Sequence, residues 1–494
     1  MSWLGLTKQV WRALLAFTLL RIILAMVTPL TPQEAYYWSW SRAMDWSFFD
    51  HPPMATYMIW LTTHLFGQTE LGIKFAAILF LFGTYIIWAK LVQEIFQKDH
   101  LTFVVVFALN STIIYELYGF VISPDSPLLM FWSLAIFMIW RLAKTQDAKY
   151  WYWAGLAMGL SWLSKYSGIF LVPSVLLFLL LSKENRRWLA TPHPYLAGLV
   201  AIVIFLPVLY WNSTHDWVSF AFQGSRRVGG LHGLGLRYFG ELIGSQLFML
   251  TPFIFGFFVW GCVKILPKVL KKQPMPDGEL LLFSSGAILL PFFTLVSFKS
   301  LVKMNWLVPA YWSWLILFLN GYLSENRSRK VMKVGLVSSL VFYALGLAVI
   351  LIPNVPLGDG NTWSGWRETA AKVDSISKTL SVTGEKSFVF STNYKVSSLL
   401  RFYLKGQPET FAQNVFGEGA LQFDYWRSPR TLQGKTGILV VDDRREYRFK
   451  RKKIEPWFEK IEKIDELNFA NFGQHTRRIQ IFRCTNYRGF AVKD

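Results

Sequence analysis

Residues 31–57, TPQEAYYWSWSRAMDWSFFDHPPMATY, stand between two apolar segments that are long enough to cross a membrane. The titratable side chains of this stretch are Glu34, Arg42, Asp45, Asp50 and His51. The stretch is too polar to be buried in lipid and too aromatic to be an idle loop. We therefore expect its carboxylates, Glu34 and Asp50, to face a cavity, where a carboxylate can act as a general base.

Two local signals position these carboxylates. Residues 34–42 can form a helix lying on the membrane, with Glu34 after Pro32 at the end where the helix dipole favours an anion. The aromatic side chains that suit a membrane interface are Tyr37, Trp38 and Trp40. Asp50 lies two residues before Pro52 and Pro53, and these two prolines favour an extended turn. The alternative is that Glu34 only caps the helix and Asp50 only makes a turn.

The bulk composition indicates a polytopic membrane protein. Of the 494 residues, 53% are hydrophobic and only 17% are charged. Long apolar runs fill the first 353 residues, and the remainder has an ordinary composition. We expect a membrane domain over 1–355 and a soluble α/β domain over 356–494. Arg12 and Arg21 interrupt the first apolar run, so we interpret it as a retained helix and not a cleaved signal.

Eleven membrane spans are predicted, and the fold class is therefore polytopic α-helical. They are residues 9–30, 72–94, 101–120, 126–142, 151–164, 168–182, 195–211, 240–263, 279–298, 305–321 and 332–353. With the N-terminus inside, Lys and Arg concentrate in the inner loops, and this bias explains most of the net charge of +20. Nucleic-acid binding is therefore not expected. The two cysteines, Cys262 and Cys484, indicate neither a disulfide framework nor a cysteine metal site.

Two outer loops break this charge bias. The 212–239 loop contains Arg226, Arg227 and Arg237, and the 299–304 turn contains Lys299 and Lys303. Cations placed against the rule indicate a local role, and neutralising an anion at the outer membrane surface is the simplest one.

The tail has alternating helical and strand patterns. The predicted helices are residues 361–380, 394–404 and 456–464, and the predicted strands are 387–391, 437–441 and 478–483. This alternation favours a small layered α/β domain.

Further polar residues stand at the outer ends of the predicted spans. Asp125, in Ser-Pro-Asp-Ser-Pro, is either a helix N-cap or part of a cavity wall. Lys165 interrupts an apolar stretch and needs a partner, for which a phosphate or Asp125 would serve. Asp50 and His215, with His51 or His232, form a weak candidate site for zinc, magnesium or manganese. His215 has an alternative role in anchoring its loop.

Several stretches together resemble a known family. They are QEAYYWSWSRAMDWSFFDHPPMATYMIWL from residue 33, SPDSPLLMFW at 123–132, GLAMGLSWLSKYSGIFLVP at 155–173, PVLYWNSTHDWVSFAFQ at 207–223, KMNWLVPAY at 303–311 and FDYWRSP at 423–429. They are similar to the family-39-type GT-C glycosyltransferases. This group includes the protein O-mannosyltransferase-like enzymes and the lipid A aminoarabinose transferases, and the FDHPP-type bacterial subfamily is the most similar.

The resemblance implies an inverting glycosyltransferase that takes a sugar from a polyprenyl phosphate on the outer face of the bacterial inner membrane. Lipid A or another envelope glycolipid or glycan is the implied acceptor, and the enzyme is expected to act as a monomer. The implied catalytic residues are Glu34 and Asp50. The implied phosphate-binding residues are Lys165, Arg226, Arg227 and Lys303. The implied substrate-binding residues are Tyr37, His51, Asp125, Tyr166, Asn305 and Tyr425.

One departure from the family pattern affects the catalytic assignment. Many members have Asp-Glu where this chain has Gln33-Glu34, and Gln33 cannot act as a base. Glu34 then takes that role, or Asp50 does, or the acceptor is an already ionised phosphate that needs little help. Three rival functions also stay open, namely protein O-glycosylation, transport or flipping of a lipid or sugar, and an inactive scaffold.

Overall fold

The computed structural model describes residues 5–228, 235–325, 327–357, 360–444 and 451–489, and the side chains of 225–228 are not described. Contact clustering divides the chain into two compact units. The first comprises Met1–Met26, Trp46–Met58 and Lys74–Leu347, and the second comprises Val27–Asp45, Ile59–Ile73 and Ala348–Asp494. Residues 27–45 and 59–73 thus pack with the tail, whereas the sequence predicts a division at residue 355. The domain boundary itself stays a prediction.

The described part of the first 357 residues is helical. Its helices are α1 Lys8–Val27, α2 Pro32–Ser41, α3 Met54–Phe66, α4 Glu70–Phe96, α5 Asp99–Asn110, α6 Ile113–Phe120, α7 Asp125–Thr145, α8 Lys149–Ser164, α9 Leu171–Leu181, α10 His193–Ser213, α11 Val218–Val228, α12 Arg237–Met249, α13 Pro252–Leu270, α14 Asp277–Ala287, α15 Leu289–Val296, α16 Val308–Ser324 and α17 Arg329–Leu351. A 3₁₀ turn over Tyr166–Phe170 leads into α9.

The predicted spans fall on helices, which confirms the polytopic helical class, but the span predicted over 240–263 is divided between α12 and α13. Seven continuous segments, among them α14 with α15, are long and apolar enough to cross a membrane. The pair α5 and α6 makes up to eight, with a bend of 74° between its halves. Of the remaining three predicted spans, Tyr166–Leu181 is a shorter apolar helix, and α8 and α16 are helices of 16 and 17 residues.

Small residues allow α8 and α10 to pack closely. A Cβ atom on Gly155 would lie 2.3 Å from the Ala197 carbonyl oxygen, and one on Gly159 would lie 2.7 Å from Cβ of Ile204. Such contacts are shorter than van der Waals distances, so only glycine permits this approach. Close backbone packing of this kind is a main source of helix association in a membrane, where burial of apolar surface gives little driving force.

A buried charge pair lies at the bend between α5 and α6. The Arg21 guanidinium of α1 donates to Oδ1 of Asn110 at 2.5 Å and to Oε2 of Glu116 at 2.6 Å. Both charged side chains are 1% exposed. Arg21 therefore ties α1 to both halves of the bent span.

The second unit contains a mixed sheet. Its elements are α18 Trp366–Val382, β1 Ser387–Ser391, α19 Tyr394–Tyr403, β2 Thr436–Asp442, α20 Arg451–Ile454, β3 Phe458–Asn471 and β4 Gln474–Tyr487. The strand order is β1-β2-β4-β3, with β1 parallel to β2 and the other pairs antiparallel. The predicted layered α/β tail and its three strands are confirmed.

Two predicted helices of the tail differ from the structure. The helix predicted over 361–380 begins only at Trp366, and the helix predicted over 456–464 is wrong because β3 starts at Phe458. Phe458, Ile461 and Ile464 are spaced three apart, which mimics one face of a helix. The strand accommodates this spacing with a register shift between Lys463 and Asp465.

The aromatic helix α2 is also placed differently from the prediction. Trp38 and Trp40 are 0% and 1% exposed, so they are buried in protein and do not lie in a membrane interface. The Trp38 ring meets Phe402 of α19 edge to face at 5.0 Å, and Arg401 donates to the Ser39 carbonyl at 3.4 Å. The helix itself was predicted from local signals, whereas its partner is 360 residues away in the chain.

Candidate active site

Three predicted site residues of the first unit form one hydrogen-bonded cluster. Asp125 is the first residue of α7, and Lys165 follows the last residue of α8. The Lys165 ammonium donates to Oδ1 of Asp125 at 2.8 Å, and the Asn305 amide donates to Oδ2 at 2.7 Å. The partner predicted for Lys165 is therefore confirmed as Asp125, and both carboxylate oxygens of Asp125 accept from side chains.

This cluster is almost completely enclosed, with Asp125 3% and Lys165 8% exposed. Two isolated charges would be costly at such a position, but here they neutralise each other and Asn305 satisfies the second oxygen. Lysine has three ammonium hydrogens, and Asp125 takes only one of them in this contact. A role for Lys165 in binding a phosphate stays a prediction.

Asp50 lies in a loop that α11 holds through its backbone. Gln223 donates to the Asp50 carbonyl at 2.7 Å, and the Ser219 hydroxyl donates to the Phe48 carbonyl at 3.2 Å. The rings of Phe49 and Phe222 pack at 4.7 Å. Because the anchoring uses main-chain carbonyls, it fixes the buried Asp50 without depending on its carboxylate.

Tyr166 connects the Asp50 loop with the Asp125 cluster. Its ring packs on Phe220 of α11 at 5.4 Å, next to Ser219, which holds the Asp50 loop. Tyr166 also directly follows Lys165 in the chain. The tertiary structure therefore joins Asp125, Lys165 and Asn305 in one cluster, and α11 contacts both Tyr166 and the Asp50 loop.

The structure describes the remaining predicted cations to different extents. Arg226 and Arg227 belong to α11, whose backbone is described, but their side chains lie outside the described residues. Lys303 is exposed and precedes Asn305 by two residues. The phosphate-binding role of all three stays a prediction.

The predicted metal site gains no support from the side chains that the structure describes. Within the described ranges, no group of three or more His, Cys, Asp or Glu residues could hold a metal ion. His215 stacks on Trp211 with ring centroids 4.0 Å apart, and its Nδ1 lies 2.8 Å from the Trp211 carbonyl oxygen. This geometry favours the loop-anchoring role. His51 is half-buried, and His232 lies outside the described residues.

Glu34 belongs to the second unit and makes a complete capping box. The Thr31 hydroxyl accepts from the Glu34 amide at 3.3 Å, and the Glu34 carboxylate accepts from the Thr31 amide at 2.8 Å. Glu34 is fully buried. The capping role that sequence alone left open is therefore present, and the catalytic role stays a prediction.

The other predicted residues of the second unit have contrasting exposure. Tyr37 is buried, with its hydroxyl 3.5 Å from the amide of Gln33, and Tyr425 is 38% exposed. The Tyr403 ring is half-buried and its hydroxyl accepts from the Leu30 amide at 2.9 Å, and this partial burial raises the pKa of the phenol. Tyr403 also lines a cavity of about 180 Å³, together with Trp363 and Arg367.

Two buried or anchoring polar residues of the first unit were not predicted as site residues. Gln223 holds the Asp50 loop, but a single glutamine in an amphipathic helix carries no distinguishing signal. Lys74 is fully buried in the first turns of α4, with its ammonium 5.6 Å from the centre of the Phe120 ring. Its position inside an apolar segment is the signal that singled out Lys165, and the same rule would have found it.

Comparison with known proteins gives consistent similarities. Residues 50–211 match the family model described as dolichyl-phosphate-mannose-protein mannosyltransferase. The lipid A galacturonosyltransferase RgtD of Rhizobium johnstonii is 26% identical over 428 residues, covering 81% of this chain and 86% of the relative.

Solved structures with the same fold cover almost the whole chain. ArnT from Cupriavidus metallidurans in the apo state has a TM-score of 0.63 and 15% identity, over 95% of this chain and 97% of ArnT. ArnT bound to undecaprenyl phosphate has a TM-score of 0.62 and 14% identity, over 96% and 98% of the two chains. The fold is therefore the GT-C type of membrane glycosyltransferase, as predicted. The protein is an enzyme of the glycosyltransferase class.

Proposed function

We propose that this protein transfers a sugar from a polyprenyl-phosphate donor to lipid A or another envelope glycolipid, with inversion, on the outer face of the bacterial inner membrane. The observation that carries the proposal is the similarity to a lipid A galacturonosyltransferase over 81% of the chain. The ArnT fold adds support, because one of its structures holds undecaprenyl phosphate. We also propose that the protein belongs to the FDHPP-type bacterial subfamily.

In the proposed reaction, the acceptor oxygen attacks the anomeric carbon of the sugar while the bond to the carrier phosphate breaks. The leaving group is then a polyprenyl phosphate whose negative charge needs cations or hydrogen-bond donors. Lys165, with ammonium hydrogens beyond the one given to Asp125, suits this role, and Arg226, Arg227 and Lys303 are the further candidates. The attacking hydroxyl loses its proton to Asp50 or Glu34.

Substrate contacts follow from the same arrangement. Tyr166 and Asn305 flank Lys165 and Asp125, and His51 follows Asp50, so that these polar groups can bind the donor sugar. Tyr37 and Tyr425 of the second unit are proposed contacts for the acceptor. A divalent metal at Asp50 and His215 is not needed for this reaction scheme.

A transporter or flippase is less well supported. Such proteins repeat broken helices in corresponding positions of two halves. Among the described residues, one pair of helices, α5 with α6, is bent and still apolar enough to count as a span. A protein acceptor has a different requirement, since a peptide needs a groove, and neither the similarity to RgtD nor the described site favours one.

The decisive experiment compares envelope lipids by mass spectrometry in cells with and without the gene. Deletion should remove one sugar mass from lipid A or another glycolipid, and the wild-type gene should restore it. The variant that removes the catalytic base, Glu34→Gln or Asp50→Asn, should fail to restore it.

Purified protein in vesicles provides the matching test of the donor. Transfer should require a polyprenyl-phosphate sugar and fail with the corresponding nucleotide sugar. Full rescue by both carboxylate variants would remove their catalytic roles, and a glycan or protein product in place of a lipid would overturn the proposed acceptor. No change in any sugar-containing product would contradict the proposed transfer itself.

A further inference from the structure

The tip of the β3–β4 hairpin carries an exposed phenylalanine. β3 ends at Asn471 and β4 begins at Gln474, and these two residues pair across the turn. The two turn residues are Phe472, with φ 49°, and Gly473, with φ 70°. The Phe472 side chain is 71% exposed.

This turn would favour a different residue at position 472. Two-residue hairpins with positive φ at both turn positions prefer Asn-Gly or Asp-Gly, because most side chains are disfavoured in the left-handed region. Phe472 therefore adds an unfavourable backbone conformation to an exposed apolar ring. Neither feature benefits the folding of the hairpin itself, which points to a partner for the ring outside the chain.

The hairpin tip is tied to the end of a membrane span. The Asn471 amide donates to the Pro353 carbonyl at 2.6 Å, and Pro353 is two residues beyond the last residue of α17. Asn471 also accepts from the Phe472 amide at 2.8 Å, which orients the turn at this point. All of these residues belong to the second unit, so the contact lies within one compact body.

The position of α17 sets the depth of the tip. The helix has 23 residues and contains an 18-residue window with a mean hydropathy of 2.4. At 1.5 Å per residue it is about 34 Å long, close to the roughly 30 Å hydrocarbon thickness of a bilayer. Its end is therefore at the boundary between lipid tails and head groups. Leu351 and Leu357, on either side of Pro353, are 46% and 45% exposed and extend the apolar surface.

We propose that Phe472 inserts into the membrane interface and that the β3–β4 tip is a lipid anchor of the tail. The partner is the bilayer itself, at the level where aromatic rings are enriched in membrane proteins. The anchor would fix the second unit at a set height above the lipid. It does not depend on which sugar is transferred.

A depth measurement with a single fluorescent label tests the anchor directly. Cys262→Ala and Cys484→Ala first remove the native thiols, and Phe472→Cys then carries an environment-sensitive nitrobenzoxadiazole label. The full-length protein is placed in phosphatidylethanolamine–phosphatidylglycerol vesicles, with or without lipids that bear a quencher near the head group. The label at 472 should show blue-shifted emission and lose most of its intensity when the quenching lipid is present.

Val382 provides the matched control. It is the most exposed large apolar side chain of the tail, at 82%, and it lies at the opposite end of α18 from Trp366. A label on Val382→Cys should emit as in water and respond to a soluble quencher. Equal emission and equal lipid quenching at the two positions would overturn the proposal.

Hydrogen exchange gives a second measurement without labels. Phe472→Asn suits the turn better but removes the apolar ring, whereas Phe472→Leu retains an apolar side chain. In vesicles, amides 468–476 should exchange faster in Phe472→Asn than in the wild type, and Phe472→Leu should stay protected. Since Asn by itself would stabilise the turn, faster exchange reports lost lipid contact, and unchanged or slower exchange would contradict the anchor.

Discussion

The Asp125 carboxylate is bound by side chains that follow it by 40 and 180 residues in the chain. Lys165 and Asn305 each occupy one of its oxygens, and the ion pair is almost fully buried. A buried pair of this kind adds little to stability by itself, because desolvation offsets most of the attraction. Stability alone therefore does not explain a charged pair at this place.

Removing one partner of this pair should be costly. Lys165→Met leaves the Asp125 charge buried, so we expect a loss of about 3–5 kcal/mol in unfolding free energy. The double variant Asp125→Asn with Lys165→Met should recover most of that stability without recovering sugar transfer. Thermal unfolding in detergent and a transfer assay measure the two effects.

Lys299→Met is the control for removing any lysine on the predicted outer side, because Lys299 is exposed in the turn that precedes Asn305. It should unfold like the wild type. Normal transfer by the stable double variant would show that the charged pair has no part in the reaction.

The capping and catalytic roles of Glu34 can be separated by a second pair of variants. Thr31→Ala breaks the capping box but keeps the carboxylate, at a cost of about 1 kcal/mol. Glu34→Gln keeps a side-chain acceptor for the Thr31 amide but cannot take up a proton. If Glu34 is the base, Thr31→Ala should retain transfer, and Glu34→Gln should lose about 100-fold or more of the rate.

The measurement is the initial rate of transfer from a polyprenyl-phosphate sugar in vesicles, with protein folding checked by thermal unfolding. Equal retention of activity in both variants would restrict Glu34 to its capping role. In that case Asp50 becomes the remaining candidate base.

At the scale of elements, the bent span of α5 and α6 depends on one cation. Arg21 binds Asn110 at the end of α5 and Glu116 within α6. Ser111 and Thr112 lie between the two helices and do not take this role, because their hydroxyls donate to backbone carbonyls of the preceding turn. Gly119 allows the approach, because a Cβ atom there would lie 2.7 Å from Nε of Arg21.

Replacement of this cation should destabilise the membrane unit. Arg21→Met leaves Glu116 buried without its partner, with an expected loss of about 3–5 kcal/mol. Arg12→Met is the matched control, because Arg12 is exposed in the same helix α1 and should be close to neutral. Unfolding followed by accessibility of Cys262 distinguishes the two variants, and equal unfolding midpoints would contradict a structural role for Arg21.

The elements that were mispredicted share a cause. The pattern of β3 satisfies a helical period locally, and only pairing with β4, with its register shift, selects the strand. The helix α2 was predicted correctly, but its aromatic residues were assigned to lipid because an aromatic belt and a buried protein interface have the same composition. Local sequence cannot distinguish two apolar environments.

At the scale of the whole molecule, the predicted topology places the tail outside the cytoplasm. The basis is the concentration of Lys and Arg in loops such as 264–272 and 327–333. Alkaline phosphatase, which is active only outside the cytoplasm, should be active when fused after Asp494 and inactive when fused after Lys272. Green fluorescent protein at the same points should give the opposite result.

Phosphatase activity of the fusion after Lys272, together with none of the fusion after Asp494, would show that the topology is the reverse of the predicted one. The predicted outer face of the site would then be wrong, and a donor on the cytoplasmic side would have to be considered. The fold would be unaffected, since helix packing does not depend on orientation in the membrane.

The sequence by itself determined that the chain is a polytopic helical protein and that the tail contains a sheet. A helix in lipid satisfies its backbone hydrogen bonds within the segment, so local apolar length is sufficient to identify it. The tertiary structure alone decided that Asp125 binds both Lys165 and Asn305 and that α2 packs on α19. Such contacts depend on the shape and charge of surfaces far apart in the chain, and no local pattern records them.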